Sequence, residues 1–284
     1  LHVEDPPLYR VRERAKLILQ LLFYGAIGYV VLVTAAYLWQ RQMLYFPDRV
    51  KPSASHVQAE GLRFWPNTGD GYRGFIGIPP AAYPKGVIIA FHGNAGAAWN
   101  RSYYVHALGE LGYRVVLAEY PGYGGRAGRW GERPFVEDAQ ETVRRAHKAF
   151  GGPVFLWGES LGCGVASAVA ADPLVPVAGL VMITPWDSLP NVAQKLYWYF
   201  PARWLVRDRY DNVRNVQSYT HPVAVVVAEQ DEIIPMPCSM RLYDSLTASK
   251  RLWVLPGAGH NTWPTGPQEA WWREVMDFVS REHE

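Results

Sequence analysis

Ser160, Asp231 and His260 have the types and the chain order needed for nucleophilic acyl transfer. Ser160 stands in Gly158-Glu159-Ser160-Leu161-Gly162, a GxSxG stretch. A serine hydroxyl is a weak nucleophile on its own and needs a base within hydrogen-bond reach, which a histidine oriented by a carboxylate supplies. His260 lies in Pro256-Gly257-Ala258-Gly259-His260-Asn261, a glycine-rich stretch that lets an imidazole swing over a sheet edge. Asp231, in Ala228-Glu229-Gln230-Asp231-Glu232-Ile233-Ile234-Pro235, would orient His260 and stabilise its imidazolium. Glu229 and Glu232 are adjacent but less well placed after the turn. Asp187 competes for the role of the acid, because it follows the preceding strand; the order Ser, Asp, His favours Asp231. The expectation for the fold is concrete: the Ser160 hydroxyl within roughly 3.5 Å of a His260 ring nitrogen, with Asp231 on the other.

Attack on a carbonyl develops an oxyanion, which needs preorganised N–H donors. The N–H of Leu161, next after the serine, is one. The second is expected from His92-Gly93-Asn94-Ala95-Gly96, at the N–H of Asn94, since glycine lets the backbone approach closely. His92 precedes the serine and sits in this donor loop, so a structural role fits it better than that of a base. His2, His56, His106, His147, His221 and His283 have no comparable surroundings. The donor loop lacks the lysine and hydroxyl of a P-loop, and no cysteine or histidine spacing resembles a metal site, so neither metal nor cofactor is expected.

These residues need elements to hold them, and the pattern of the chain supplies a parallel sheet. Pro153–Trp157 before the serine is a short apolar run of β character, and Cys163–Ala170 after it reads as a tightly packed helix. Strand, sharp turn and helix make a nucleophile elbow. A hairpin over Gly61–Pro66 and Tyr72–Pro79 comes first. Strands then fall at Val87–Phe91, Arg114–Glu119, Val154–Trp157, Val177–Ile183, Pro222–Ala228 and Arg251–Leu255, with helices at Trp99–Leu111, Phe135–Phe150 and Pro267–Ser280. Strands apolar on both faces, alternating with helices, imply a mostly parallel sheet covered on both sides. Such sheets bind ligands at the carboxyl ends of their strands, where Asn94, Ser160, Asp231 and His260 all fall. The irregular stretch 185–219, rich in aromatics and arginines, reads as a small cap.

From Leu17 to Trp39 runs a 23-residue stretch without a charge, against the roughly 20 residues that cross a bilayer. Arg10, Arg12, Arg14 and Lys16 precede it; Tyr37, Trp39, Arg41 and Tyr45 mark an aromatic far side. The run is longer than the core of a cleaved signal peptide, which favours an anchor. The expected layout is a basic segment (1–16), a transmembrane helix (17–39), a connector (40–60) and a catalytic domain (61–284). The surplus of lysine and arginine before the helix points to a cytoplasmic N-terminus and a domain on the non-cytoplasmic side. A net charge of +2 gives no dense basic face for nucleic acid. Two cysteines, Cys163 and Cys238, make no disulfide scaffold.

Taken together, the residues resemble the serine α/β-hydrolase superfamily, and more closely its membrane-anchored Bem46-like, ABHD-type branch, which includes depalmitoylases and monoacylglycerol lipases. Met43-Leu44-Tyr45-Phe46-Pro47 resembles that branch's post-anchor segment, His92-Gly93-Asn94-Ala95-Gly96 its oxyanion loop, and Tyr120-Pro121-Gly122-Tyr123-Gly124 its strand-loop signature. Gly158–Gly162, Asp231 with Ile234-Pro235, and Gly259-His260 match the catalytic positions. Gly125-Arg126 and Ala228-Glu229-Gln230 depart from the branch's usual residues, and bear on the shape of the acid loop and the substrate. The resemblance implies an α/β-hydrolase fold with a small cap and a serine hydrolase acting on a carboxylic ester or thioester. An anchor beside cap aromatics (Trp186, Tyr197, Trp198, Tyr199, Phe200, Trp204) makes an acyl lipid or acylated protein the leading substrate. A peptidase or amidase of the same fold, or a non-catalytic membrane-bound subunit, are the competing readings.

Overall fold

The computed structural model describes residues 7–67, 71–77 and 83–281. Residues 1–6 of the basic segment, including His2, fall outside that set, as do 68–70 and 78–79 of the expected hairpin and His283. Contacts divide the chain into two compact units, with the division between Met43 and Leu44.

The first unit is helical. Helix α1 (Pro7–Leu44) is 38 residues long, roughly 57 Å at 1.5 Å per residue, and contains the whole apolar run. It continues past both ends of that run because neither Leu8–Lys16 nor Gln40–Met43 holds a glycine or proline. The helix is long and apolar enough to cross a membrane, and none of its apolar window is buried.

The second unit is built on an eight-stranded sheet. Residues 40–60, expected as a plain connector, carry structure of their own: the end of α1, then β1 (Phe46–Pro47) and α2 (Ala54–Ala59). Ser53 starts α2 by accepting from His56 N–H at 3.2 Å. Strands β2 (Leu62–Trp65) and β3 (Gly74–Gly77) pair antiparallel, Leu62 opposite Gly77. Next come β4 (Val87–Phe91), β5 (Ala95–Gly96), α3 (Ser102–Glu110), β6 (Arg114–Ala118), α4 (Glu132–Phe150), β7 (Val154–Glu159), α5 (Leu161–Ala170) and β8 (Gly179–Ile183). The expected cap is three short helices, α6 (Leu189–Leu196), α7 (Ala202–Leu205) and α8 (Asn212–Val216). Strand β9 (Val223–Ala228), α9 (Met236–Ser245), β10 (Lys250–Leu255) and α10 (Ala270–Ser280) complete the chain.

The sheet runs β10-β9-β8-β7-β4-β6-β3-β2, parallel except where β3 pairs with β2 and β6. Every residue of β4, β7, β8 and β9 is buried, because both faces are covered. The pleat sends alternate side chains to opposite faces. Val87, Ile89 and Phe91 of β4 join a core with α4, α5 and α9, while Ile88 and Ala90 join a second with α3 and α10. Burying such a Val, Ile or Phe side chain contributes about 1.5–3 kcal/mol, so the central strands are the rigid part. Their carboxyl ends all open on one edge, which fixes the loops that follow.

Candidate active site

The elbow is tight because three backbones meet there. Ser160 joins β7 directly to α5 with φ 52° and ψ −114°, a conformation that costs a non-glycine residue about 1–3 kcal/mol and persists only when its surroundings impose it. The Ser160 N–H is tied to the Ile183 carbonyl at 2.9 Å, and the Ser160 carbonyl accepts from Cys163 N–H at 2.9 Å. A Cβ at Gly158 would lie 2.6 Å from the Cys163 Cα, and one at Gly162 would collide with the Phe91 carbonyl. Both glycines of the GxSxG are therefore demanded by close approach. Cys163 is wholly buried behind the turn.

His260 brings Nε2 to 2.9 Å from Ser160 Oγ. Its Nδ1 faces both oxygens of Asp231, at 2.9 and 3.0 Å. With the ring proton on Nδ1 and donated to Asp231, the Nε2 lone pair is left for the serine hydroxyl. Asp231 is itself held by the N–H groups of Ile233 and Ile234, at 2.9 and 2.7 Å on Oδ1. The neighbouring glutamates stitch the acid loop to the histidine loop: Glu229 accepts from Gly257 N–H at 2.7 Å and Glu232 from His260 N–H at 3.0 Å. That backbone donor is the main reason the Glu232 carboxyl lies below its ordinary range. The His260 side chain is 4% exposed, so little solvent competes for it.

Asp187 is brought elsewhere. It is 2% exposed and takes Arg241 Nε at 2.6 Å, Asn191 Nδ2 at 2.9 Å and Ser188 N–H at 2.7 Å. It fastens the start of the cap to α9.

Leu161 follows the serine at the start of α5, and Asn94 lies in the loop that leaves β4. As the first residue of α5, Leu161 has no intrahelical acceptor for its N–H. The Asn94 loop comes in against the elbow: a Cβ on Gly93 would lie 3.7 Å from Ser160 Cβ and 3.4 Å from Glu159 Oε1. The glycine thus permits the close approach of this loop to the elbow.

Two buried networks beside the site were not expected from the sequence. Glu159, 7% exposed, is met by Arg101 Nη2 at 3.0 Å, Tyr103 Oη at 2.9 Å and Tyr104 Oη at 3.0 Å. Burial alone would push its carboxyl up; the Arg101 guanidinium and the two hydroxyls outweigh that and hold it below its ordinary value. Burial first, then Glu159, drives both tyrosines upward, so they stay protonated donors. His92, read as structural, has Nδ1 2.8 Å from the Gly93 carbonyl and Nε2 3.1 Å from Glu119, and Glu119 also accepts from Ala98 N–H at 2.9 Å. A buried carboxylate inside an elbow signals that a cation must come from somewhere. Nothing in the sequence says that it comes from Arg101.

The cap aromatics divide. Trp186 belongs to the core, 3% exposed, with its indole N–H donated to the Tyr210 carbonyl at 3.4 Å, which removes it from the expected lipid-facing set. Trp198 and Trp204 are 76% and 80% exposed, with Tyr197 and Tyr199 also open.

A serine on a strand-to-helix elbow, with a histidine and a carboxylate in line behind it at the carboxyl edge of a parallel sheet, is the layout of an α/β-hydrolase. Comparison with known proteins agrees. A family model described as serine aminopeptidase, S33, matches residues 82–207. An uncharacterized protein of Mycobacterium tuberculosis is 35% identical over 253 residues, 86% of this chain and 88% of that one. The lysophosphatidylserine lipase ABHD12 of Danio rerio is 31% identical over 185 residues, 58% of this chain and 48% of its own, so the chain spans about half the length of that relative. Among solved structures, the Pyrococcus furiosus esterase Pf2001 aligns with a TM-score of 0.62 at 16% identity, covering 84% of this chain and 97% of that one, a likeness of fold. The chain belongs to the serine hydrolase superfamily of α/β-hydrolase fold. Within it, the chain is of the ABHD type.

Proposed function

We propose that this chain is a single-pass, membrane-anchored serine hydrolase that cleaves a carboxylic ester or thioester, of an acyl lipid or an acylated protein, through an acyl-enzyme on Ser160. The observation that carries this reading is the line Ser160 Oγ, His260 Nε2, His260 Nδ1, Asp231, with 2.9 Å at both junctions. Ser160 Oγ attacks the substrate carbonyl carbon as His260 Nε2 takes its proton; Asp231 steadies the imidazolium. The tetrahedral oxyanion is held by the N–H groups of Leu161 and Asn94, each donor of this kind being worth about 10²–10³ in rate. Collapse expels the alcohol or thiol, which takes the proton from His260. Water then gives its proton to the same nitrogen while attacking the acyl-enzyme, and the free acid leaves with Ser160 restored.

In this reading the chain is laid out as a basic segment (1–16), a membrane span (17–39), a linking segment (40–60) and a hydrolase domain (61–284) on the non-cytoplasmic side. The length of α1 and its unburied apolar surface support the span. The lipase activity named for the Danio rerio relative and the exposed Trp198, Tyr199 and Trp204 of the cap support an acyl lipid. The family description as an aminopeptidase favours a second reading, hydrolysis of an amide by the same residues.

A fluorophosphonate probe applied to the detergent-solubilised chain is expected to label the wild type and not Ser160→Ala. An unlabelled wild type would leave the non-catalytic reading in possession. Rates across p-nitrophenyl esters of rising acyl length are expected to climb with length; a flat or short-chain profile removes the lipid substrate. Faster turnover of aminoacyl amides than of esters would favour the peptidase.

A further inference from the structure

The stretch that leaves the apolar helix does not simply link it to the domain. Leu44, the last residue of α1, belongs to the same compact unit as the sheet, and its carbonyl accepts from Asn94 Nδ2 at 2.8 Å. Two residues on, Phe46 N–H donates to the Asn94 carbonyl at 2.9 Å, and Asp48 N–H to the Gly96 carbonyl at 2.8 Å. These bonds make β1 and β5 a parallel pair, Phe46 opposite Ala95 and Pro47 opposite Gly96. Between them Tyr45, 2% exposed, reaches the other way, its hydroxyl 3.0 Å from Asp208 Oδ2 and 3.0 Å from the Tyr210 hydroxyl. The segment is thus fastened on one side to the Asn94 loop and on the other to the stretch between α7 and α8 of the cap.

Most of what holds Asn94 comes from this segment. The carbonyl of the peptide that bears the Asn94 N–H faces His92 Nδ1 at 2.8 Å. The rest of the residue is fixed by Leu44, Phe46 and the Tyr123 hydroxyl, which donates to the Asn94 carbonyl at 2.7 Å. Oxyanion stabilisation depends on a donor that needs no reorganisation at the moment of reaction, so a displacement of a fraction of an ångström is felt in rate before it is felt in binding.

We propose that Leu44–Asp48 are positioning residues of the active site: through hydrogen bonds to Asn94 and Gly96 they set the oxyanion donor, so the exit of the membrane helix is built into the catalytic machinery. The inference rests on the reading of Ser160 as nucleophile and Asn94 N–H as donor.

The test uses the full chain in detergent with p-nitrophenyl butyrate as substrate and an alkyl boronic acid, whose adduct on Ser160 mimics the tetrahedral oxyanion. Asn94→Ala keeps the backbone N–H but removes the tether to Leu44. It is expected to lower kcat about 10- to 100-fold with KM within about twofold, and to weaken the boronic acid by the same factor as kcat. Replacing Phe46 by 3-phenyllactic acid turns its amide into an ester, deleting the N–H that donates to Asn94 while keeping the side chain, and is expected to show the same split. Equal kcat for both variants and the wild type overturns the proposal, as does a loss confined to thermal midpoint or KM. Fluorophosphonate labelling of the wild type is read first. If it is absent, the hydrolase reading falls and this inference with it; if present while both variants keep wild-type kcat, only this inference falls.

Discussion

Asp187 and Asp231 follow adjacent parallel strands, β8 and β9, at the same edge of the sheet, and both carboxylates are nearly inaccessible, with side chains 3% and 6% exposed. Their surroundings separate them. Asp187 is filled by a guanidinium, an amide and a backbone N–H, all belonging to the cap or α9. Asp231 takes two backbone N–H groups on one oxygen and turns toward a histidine whose other nitrogen meets a serine. Equal position and equal burial thus give two different carboxylates, and the difference lies in whether the donor opposite can itself move a proton.

The sharpest way to break that comparison is to neutralise each acid in turn. Asp231→Asn is expected to lower kcat about 10³–10⁴-fold, with little change in thermal midpoint, measured with p-nitrophenyl butyrate. Asp187→Asn is expected to leave kcat within about threefold, since no bond from it reaches His260; a reversal of the two results would exchange the acid assignment. Next in size is Arg101→Met. It strips the cation from a third buried carboxylate, Glu159, and breaking such a pair from one side costs about 3–5 kcal/mol, read by urea denaturation. Asp187→Ala comes below it. Leaving the Asn191 amide and Ser188 N–H without an acceptor costs about 1–3 kcal/mol, while half-exposed Arg241 regains water. A fall larger for Asp187→Ala than for Arg101→Met would mean that the cap carries more of the stability than the elbow.

The same contrast marks what could be read in the sequence. The central strands were legible because they are apolar on both faces, and the geometry brings Ser160, Asp231 and His260 together past the carboxyl ends of β7, β9 and the edge strand β10. Boundaries moved by a few residues: the helix expected from Trp99 opens as a 3₁₀ turn over Ala98–Arg101 before α3, and α4 begins at Glu132 instead of Phe135. Helix α9 was missed. Its signals, Pro237 in the first turn and Cys238 with Leu242 on one face, are weak beside the acid motif that precedes them. The pairing of Glu159 with Arg101, across 58 residues, and the hydrogen bonds of residues 44–48 to Asn94 and Gly96 depend on tertiary approach. No local periodicity encodes them.

The pH dependence at Glu159 is the smallest effect, and its sign can be worked out in advance. Burial raises its carboxyl, Arg101 and the two tyrosines more than reverse this, and the folded value ends below the ordinary one. A group depressed in the folded state contributes stability that is fully present above its unfolded value, about 4.3, and is lost as pH falls through the folded value. Denaturation free energies of wild type and Glu159→Gln, measured from pH 7 down to pH 3, should therefore converge: the variant's deficit is largest near neutrality and shrinks in acid. A deficit that stayed constant would mean that Glu159 is held by packing and not by charge. In that case the contrast between a carboxylate filled by fixed donors and one that faces a histidine would need to be drawn from Asp187 and Asp231 alone.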